Sequence, residues 1–292
     1  MLRLSFLCVL LLSLAACSSG SGTISNGKTF PGPSGNPDQN SRAQELVDKA
    51  DKPAVNELSE EDRKALVEQT FSKLVEFGRP VCSGVTGNDL GCNWFDFALK
   101  DTPTVNAYPW GANGLSVNKG ILEYADNEHE VAYLLAHQMG HILAKHVVEN
   151  GEYSVANRQG GAAVLVVLLC GASCVQNLPS YGDRIRAEIY QEEWETSFSH
   201  SQEREADYIA VYLMENAGYD IEKGRKFLLK MAALNPENGT EAKDKAGYFD
   251  LHAFNPAQLS RMLAVKKEYL TKKAAGKELK PTPKIPEKKE YY

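Results

Sequence analysis

Apolar residues recur with a helical period along most of this 292-residue chain. Residues 59–62, Ser-Glu-Glu-Asp, have the composition of a helix N-cap followed by an acidic first turn. An apolar stripe follows at the spacing of one helix face: Leu66, Phe71, Leu74, Val75 and Phe77. Further helical patterns run over residues 127–150, 196–217, 221–234 and 256–273. The chain is therefore predicted to be mainly helical.

Residues 103–118 show a different pattern, in which apolar residues flank a glycine-rich turn. Val105, Tyr108 and Trp110 precede residues 111–114, and Leu115 and Val117 follow them. This order is typical of strand, turn, strand. We therefore predict an α+β fold, mainly α with a small β-sheet, formed by one domain over residues 42–270.

The N-terminus has the pattern of a secretory signal. A basic start is followed by an apolar run from Leu4 to Leu14, which is too short to span a bilayer, and then by Ala15, Ala16 and Cys17. Small residues before a cysteine resemble the lipobox of bacterial lipoproteins, which implies a signal peptide over residues 1–16 and a membrane anchor on acylated Cys17. The alternative is an ordinary secretory signal with an incidental cysteine. Ser18, where an aspartate would retain a lipoprotein in the inner membrane, favours the outer membrane, facing the periplasm.

Composition separates the chain into further segments. Residues 17–41, rich in Gly, Ser, Pro and Asn, are predicted to be a flexible tether. Residues 161–169 are strongly apolar and predict either a buried helix or a hairpin that contacts the membrane. Residues 271–292 form a basic tail with prolines, predicted to be solvated, or alternatively to contact anionic lipid headgroups. The net charge of −6 gives no reason to expect nucleic acid as a partner.

Four cysteines remain after Cys8 and Cys17 of the N-terminal region. In an oxidising compartment Cys82, Cys92, Cys170 and Cys174 are expected to form disulfides. Three pairings are open, and Cys82–Cys92 with Cys170–Cys174 is the most local. A structural zinc site is the weaker alternative, because the short CxxC spacing of zinc ribbons is missing.

The central chemical motif is His137-Gln138-Met139-Gly140-His141. Two histidines at i and i+4 lie on one helix face, where both imidazoles can bind a single zinc ion. In the related HExxH motif, the glutamate is the general base that takes a proton from the attacking water. Gln138 stands at that position. Alone, such a pair also fits an ordinary helix with two polar histidines.

The wider sequence resembles a family of membrane-associated zinc peptidases. The residues that carry the resemblance run from VNAYPWGANGLSVNKG through AHQMGHILAKH, followed by Glu203-Arg-Glu-Ala-Asp207 on a later helix. This is the family of the CaaX prenyl protease, HtpX, BepA and LoiP, with HExxH present as HQMGH. It implies a gluzincin-like domain with HxxxH on a central helix. It also implies one zinc per chain on His137, His141 and Glu203, with Asp207 orienting a ligand histidine. An edge strand for substrate is implied at Gly114, Leu115, Ser116 and Val117.

A third family signature, His-Pro followed by four residues and Arg, is altered in this chain. It reads Asn255-Pro256, then Arg261, so that the proline and arginine match and the histidine does not. The resemblance places Arg261 behind the ligands and Asn255 at a position that acts near the metal. His252 either substitutes for the missing histidine or is a surface histidine, and we favour the second interpretation.

These features lead to two functional hypotheses. The first is a periplasmic zinc metalloendopeptidase that cleaves unfolded or misassembled envelope proteins, impaired because Gln138 cannot accept a proton. Loss of a general base costs ~10²–10⁴-fold in rate. The second is an inactive zinc-binding chaperone or adaptor for outer-membrane protein assembly. A structural lipoprotein with an empty site is the least favoured. Whether Gln138 is native, engineered or compensated by another base stays open.

Overall fold

The computed structural model describes residues 28–87, 92, 96–110, 113–150, 197–234, 248, 252 and 254–284. Its helices are α1 (Pro37–Asp48), α2 (Glu60–Phe77), α3 (Arg79–Thr86), α4 (Lys119–Leu122), α5 (Glu128–Leu143), α6 (His200–Asn216), α7 (Ile221–Gly224), α8 (Lys226–Leu234) and α9 (Ala257–Ala274). Its strands are β1 (Asp96–Lys100), β2 (Ala107–Trp110) and β3 (Gly114–Asn118). The predicted fold class, mainly α with a small β-sheet, is confirmed.

Helices α5 and α6 form the centre of the domain. Asn127 caps α5 by accepting hydrogen bonds from the backbone N–H groups of His129 and Glu130, and Ser199 and Gln202 form a capping box at the start of α6. Every residue from Glu130 to Leu143 is buried. A helix that is covered on all faces is held in place by the surrounding elements, so its side chains keep fixed positions.

Gly140 lets the two central helices approach closely. A Cβ atom at this position would lie 2.5 Å from the carbonyl oxygen of Ala206 and 2.9 Å from its Cα. Both are backbone atoms of α6, which cannot move aside as a flexible side chain could. The glycine therefore sets the distance between α5, with the two motif histidines, and α6, with Glu203 and Asp207.

The sheet corrects one prediction. Its strand order is β1-β3-β2, with β1 parallel and β2 antiparallel to β3. Gly114, Leu115, Ser116 and Val117 therefore lie in the central strand, and all four are buried. The prediction that they form an edge strand is wrong. The reason is that β1, which the apolar pattern did not reveal, pairs with the side of β3 that was expected to be free.

Both predicted limits of the domain are too narrow. Phe30 is fully buried, Thr29 forms a β-bridge with Lys284, and α1 begins at Pro37 inside the predicted tether. At the other end, α9 extends to Ala274 and Pro281 is buried. Residues 28–41 and 271–284 thus belong to the folded domain, because each segment packs against it and against the other.

Several sequence predictions concern other parts of the chain. Cys82 and Cys92 form a disulfide, which is one bond of the most local of the three open pairings. The signal peptide, Cys17, residues 161–169, Cys170 and Cys174 all lie outside the described residues. Within the described residues, no helix combines the length and the apolar character that a bilayer crossing requires.

Candidate metal centre

His137 and His141 lie one turn apart on the buried face of α5. Their exposed fractions are 1% and 0%, and their Nε2 atoms are 3.2 Å apart. Two imidazole nitrogens can approach each other in this way when they share a proton or a cation. The predicted i, i+4 geometry is thus present in the folded domain.

Glu203 faces both histidines from the first turn of α6. Its Oε2 atom is 3.2 Å from Nε2 of His137, and its Oε1 atom is 3.3 Å from Nε2 of His141. The carboxylate is 2% exposed. The structure therefore brings together the three residues that the resemblance implied as metal ligands.

His252 is the fourth member of this cluster. Its Nδ1 atom lies 3.1 Å from Oε1 of Glu203 and 3.2 Å from Nε2 of His137, and the residue is 2% exposed. The interpretation of His252 as a surface histidine is wrong. Residue 252 pairs with Phe198 in a β-bridge, a long-range contact that is not visible in the local sequence, and its ring stacks on Tyr248.

The ligand atoms of the four residues converge on one buried point. They lie within 4.8 Å of one another, and the five separations given above, which involve both oxygens of Glu203, are 3.1–3.3 Å. A tetrahedron with zinc–nitrogen bonds of ~2.0–2.1 Å has edges of about 3.3–3.4 Å. These five separations match the edges of such a site, and His252 lies beside the three expected ligands as a fourth residue that could hold a metal ion.

Gln138 lies beside this cluster and is fully buried. Its Nε2 atom is 3.3 Å from Nε2 of His252, and its Oε1 atom has no hydrogen-bond partner among the described residues. A buried amide oxygen without a partner costs free energy. The position of the expected general base is thus next to the ligands but is held by a neutral amide.

The sequence around these residues matches a known peptidase family. The model of peptidase family M48 matches residues 82–269, which is well over half of the chain and includes all four cluster residues. The chain belongs to peptidase family M48.

Curated relatives agree with this assignment. The β-barrel assembly-enhancing protease of Yersinia pestis is 25% identical over 156 residues, 47% of this chain and 28% of that protein. The mitochondrial metalloendopeptidase OMA1 of Arabidopsis thaliana is 29% identical over 130 residues, 44% of this chain and 24% of that protein. OMA1 of Saccharomyces cerevisiae is 28% identical over 170 residues, 57% of this chain and 45% of that protein. The chain spans less than half the length of each of these relatives.

Asp207 lies beside the cluster, whereas Asn255 does not. Asp207, on α6, accepts hydrogen bonds from the hydroxyl of Tyr133 at 2.9 Å and the amide of Gln258 at 3.0 Å, and its Oδ1 lies 2.9 Å from Nδ1 of His137. Asn255 is exposed and its side chain accepts a hydrogen bond from the backbone N–H of Ala257 at the start of α9. The family M48 histidine position therefore lies outside the cluster in this chain.

Arg261 lies one helix turn beyond Gln258 on α9. Burial lowers the pKa of its guanidinium, and Asp207 acts against this shift. Its Nε atom has no hydrogen-bond partner among the described residues. Arg261 thus interacts electrostatically with Asp207 and does not belong to the metal cluster.

The pKa values of the residues in this family M48 site are consistent with a bound cation. Burial lowers the pKa of His137, but the carboxylates of Glu203 and Asp207 outweigh burial and raise it to about 10. Burial, together with the neighbouring His137 and His146, holds the pKa of His141 well below its ordinary value. Burial would raise the pKa of Glu203, but the three cluster histidines hold it well below its usual range. Without a metal, a proton on His137 therefore offsets part of the negative charge of the two carboxylates beside it.

His146 and Glu205 extend this family M48 site on the side of His141. Nδ1 of His146 lies 3.0 Å from Nδ1 of His141, and its Nε2 lies 3.3 Å from Oε2 of Glu205. The resemblance includes His146 without giving it a role, and no motif singled out Glu205. The available signal was position: His146 is the next histidine after the HxxxH pair, and Glu205 lies between Glu203 and Asp207.

Proposed function

We propose that this chain is a zinc-binding envelope lipoprotein of family M48 that engages unfolded or misassembled envelope proteins and cleaves them slowly. One observation carries the proposal. His137, His141, Glu203 and His252 converge on one buried point, while the neighbouring Gln138 cannot take a proton.

Zinc is the metal that this donor set favours. Three imidazole nitrogens and one carboxylate, buried and directed at one point, are typical zinc ligands. Asp207 supports His137 in the way that zinc-bound histidines usually require. When bound, zinc would polarise a peptide carbonyl and lower the pKa of water.

The residues around the cluster account for slow cleavage. The amide of Gln138 can hydrogen-bond to water and orient it, but it cannot accept its proton, which costs ~10²–10⁴-fold in rate. Asn255, at the family histidine position, points into the N-terminus of α9 and does not reach the cluster. Both groups that would assist proton transfer and charge stabilisation are therefore missing from the site.

Strand β2 is the better candidate for contact with a substrate backbone than β3. Its far side from β3 faces the cluster, since the carbonyl of Ala107 accepts a hydrogen bond from Nε2 of His252 at 3.3 Å. The backbone N–H of Tyr248 donates to the carbonyl of Val105, just before β2, at 3.0 Å. An extended substrate that pairs with this edge would replace these bonds and draw His252 away from the metal.

A second function, zinc-dependent binding without cleavage, is favoured by one observation. Sites with four protein ligands are typical of structural zinc, whereas catalytic zinc keeps one position open. His252 lies close enough to the other three residues to take that position when a metal is bound. A chaperone or adaptor for outer-membrane protein assembly would need the fold and the metal, but not an open site.

The cellular location belongs to the proposal as well. A lipid on Cys17 would hold the domain at the outer membrane, facing the periplasm. Relatives named β-barrel assembly-enhancing protease support an envelope role. Cys17→Ala is expected to release the protein from the membrane fraction or block its maturation. Unchanged membrane association would contradict the lipid anchor.

The decisive experiment combines zinc analysis with proteolysis. The parent chain, Gln138→Glu, His252→Ala and the double variant would be assayed for zinc content and for chelator-sensitive cleavage of casein. Gln44→Glu, the same change at an exposed position of α1, is the matched control. We expect one zinc per chain in the parent and at least ~10²-fold faster cleavage once a glutamate stands at 138, with the double variant fastest.

Three other results would each change the conclusion. Absence of zinc from the parent chain would refute the metal site. A parent that cleaves as fast as Gln138→Glu would show that another residue is the base. Zinc binding without cleavage in all four proteins would establish the second function instead of the first.

A further inference from the structure

A chain of hydrogen bonds leads from the cluster to the N-terminal segment. His141 contacts His146 through the two Nδ1 atoms at 3.0 Å, and His146 contacts Glu205 at 3.3 Å. Glu205 accepts a hydrogen bond from the backbone N–H of Phe30 at 2.7 Å. All four residues are buried. The chain of contacts therefore connects a metal ligand with residue 30, well outside the motifs of the site.

The direction of the hydrogen bonds in this chain is set from the Phe30 end, with His146 as a neutral imidazole. At one end, the backbone N–H of Phe30 can only donate, so Glu205 accepts. The second carboxylate oxygen also accepts, so His146 carries its proton on Nε2 and leaves Nδ1 free to accept. His141 then carries its proton on Nδ1, and its Nε2 lone pair points at the cluster. This is the form of a histidine that binds a metal through Nε2.

We infer that His146 and Glu205 are positioning residues that select the metal-binding form of His141, and that the N-terminal segment completes their arrangement by donating from Phe30. The inference rests on the proposed zinc site and adds residues that the site motifs do not contain. His141 thus depends on a relay, whereas His137 is supported directly by Asp207.

The local backbone supports a specific role for His146. Lys145, directly before it, has a φ of 62°, the left-handed conformation that costs a non-glycine residue free energy. This residue turns the chain sharply after α5. The turn brings His146 back against His141, five residues earlier, instead of continuing along the helix.

The N-terminal segment is held in place independently of Glu205. Thr29 and Lys284 exchange two backbone hydrogen bonds of 3.1 and 2.7 Å, and the ring of Phe30 is fully buried. Gly32, with a φ of 63°, packs against the ring of Tyr208 on α6. The donor at Phe30 is therefore fixed by the tertiary structure, so it can impose a direction on the relay.

A carboxylate is needed at residue 205 because it accepts at both oxygens. A glutamine would have to accept from Phe30 with its oxygen and donate to His146 with its amide. His146 would then donate from Nδ1, and His141 would carry its proton on Nε2, where the metal must bind. Glu205→Gln, almost identical in shape, is therefore expected to reverse the relay.

The test measures zinc affinity by competition with a chromophoric chelator in the full-length chain. Glu205→Gln is expected to weaken zinc binding about 10–100-fold, the usual cost of losing a residue that supports a ligand. Glu130→Gln, a buried carboxylate on α5 outside the cluster, is the matched control and should leave the affinity unchanged. Equal affinities of the parent and Glu205→Gln, or equal losses in both variants, would overturn the inference.

Two further pairs of variants separate positioning from general stability. His146→Gln keeps an acceptor for His141 and should bind zinc nearly as well as the parent, whereas His146→Phe should not. Phe30→Pro removes the N–H and should bind zinc about 10-fold more weakly than Phe30→Ala, which loses the same ring. Equal affinities within either pair would contradict the relay.

A spectroscopic measurement reports on the proton directly. In the zinc-loaded chain, ¹⁵N NMR of the imidazoles should show His146 protonated at Nε2, and a proton at its Nδ1 would refute the assignment. A parent chain that binds no zinc would instead refute the proposed function. If the parent binds zinc and Glu205→Gln binds it equally well, only the relay is refuted.

Discussion

Two buried carboxylates on the central helices are balanced in different ways. Glu130 on α5 is 2% exposed and lies 2.6 Å from the ammonium of Lys230, while it also accepts from the backbone N–H of Asp126. Glu203 on α6 is equally buried, but its ion-pair partners are three histidines. A lysine brings a permanent positive charge, whereas a histidine brings one only if it binds a proton.

This difference explains why one carboxylate is structural and the other belongs to a site. The charge on Glu130 is balanced within the chain, so its surroundings need nothing from solution. The charge on Glu203 requires either a proton on the cluster, as the raised pKa of His137 indicates, or a metal ion. Burial makes an unbalanced charge costly in both places, and only the cluster offers several lone pairs directed at one point.

The largest expected effect is stabilisation by zinc. At a free zinc concentration about 1,000-fold above Kd, binding should raise the free energy of unfolding by about 4 kcal/mol. Urea unfolding with zinc and with a chelator measures the difference, and Glu203→Gln should largely abolish it. Equal unfolding midpoints with and without zinc would show that the cluster, like Glu130, needs no added cation.

A smaller effect is expected from Gly140→Ala. The added Cβ meets the backbone of Ala206, so α5 and α6 must separate, at a cost of ~1–3 kcal/mol in unfolding free energy. Zinc affinity should fall as well, because the two helices carry different ligands. Gly84→Ala on α3 is the control, since its Cβ would meet Cδ and Cβ of Lys280 at 2.7 and 2.9 Å, a comparable clash outside the two ligand-bearing helices. Unchanged zinc affinity in Gly140→Ala would mean that helix spacing does not set the site.

The pH dependence of zinc binding should reveal the proton that the metal replaces. Since the pKa of His137 rises from 6.5 to about 10 in the metal-free fold, zinc must displace a proton throughout this range. The affinity is expected to increase about tenfold per pH unit, about 1.4 kcal/mol, and to level off near the raised pKa.

Without metal, loss of the proton on His137 should make the fold less stable as the pH rises, whereas zinc affinity rises with pH. A raised pKa contributes stability that is fully present below pH 6.5 and is lost as the pH rises to about 10. Chelator competition and urea unfolding across this range measure both trends. An affinity that does not vary with pH would place the balancing charge elsewhere.

The smallest effect on the free energy of unfolding is expected at Glu130, the carboxylate balanced by a lysine. Glu130→Gln should reduce the free energy of unfolding by about 1 kcal/mol, because a charged hydrogen bond becomes a neutral one. Lys230 keeps its contact with Asp126, which limits the loss. Zinc affinity, measured on the same samples, should stay the same. A large loss of affinity would show that the two carboxylates are coupled, contrary to the comparison.

The sequence by itself determined the long helices α2, α5, α6 and α9 and the residues with local motifs, but not α1 or α3. The i, i+4 spacing of His137 and His141 required only that residues 127–150 form a helix, which their apolar period indicated. The later Glu203-to-Asp207 pattern and the resemblance to a zinc peptidase family led to residues that the fold does bring together. The replacement of the general base was equally visible, since Gln138 lies inside the motif.

Only the tertiary structure decided which residues complete the site and which strand borders it. His252 follows no local pattern, and its place in the cluster depends on a β-bridge with Phe198, 54 residues earlier in the chain. The central position of β3 depends on β1, a strand without a strong alternating pattern. Phe30 reaches Glu205 across 175 residues of chain. Periodicity reports which face of an element is buried, but the partner that covers that face is chosen by packing of the whole domain.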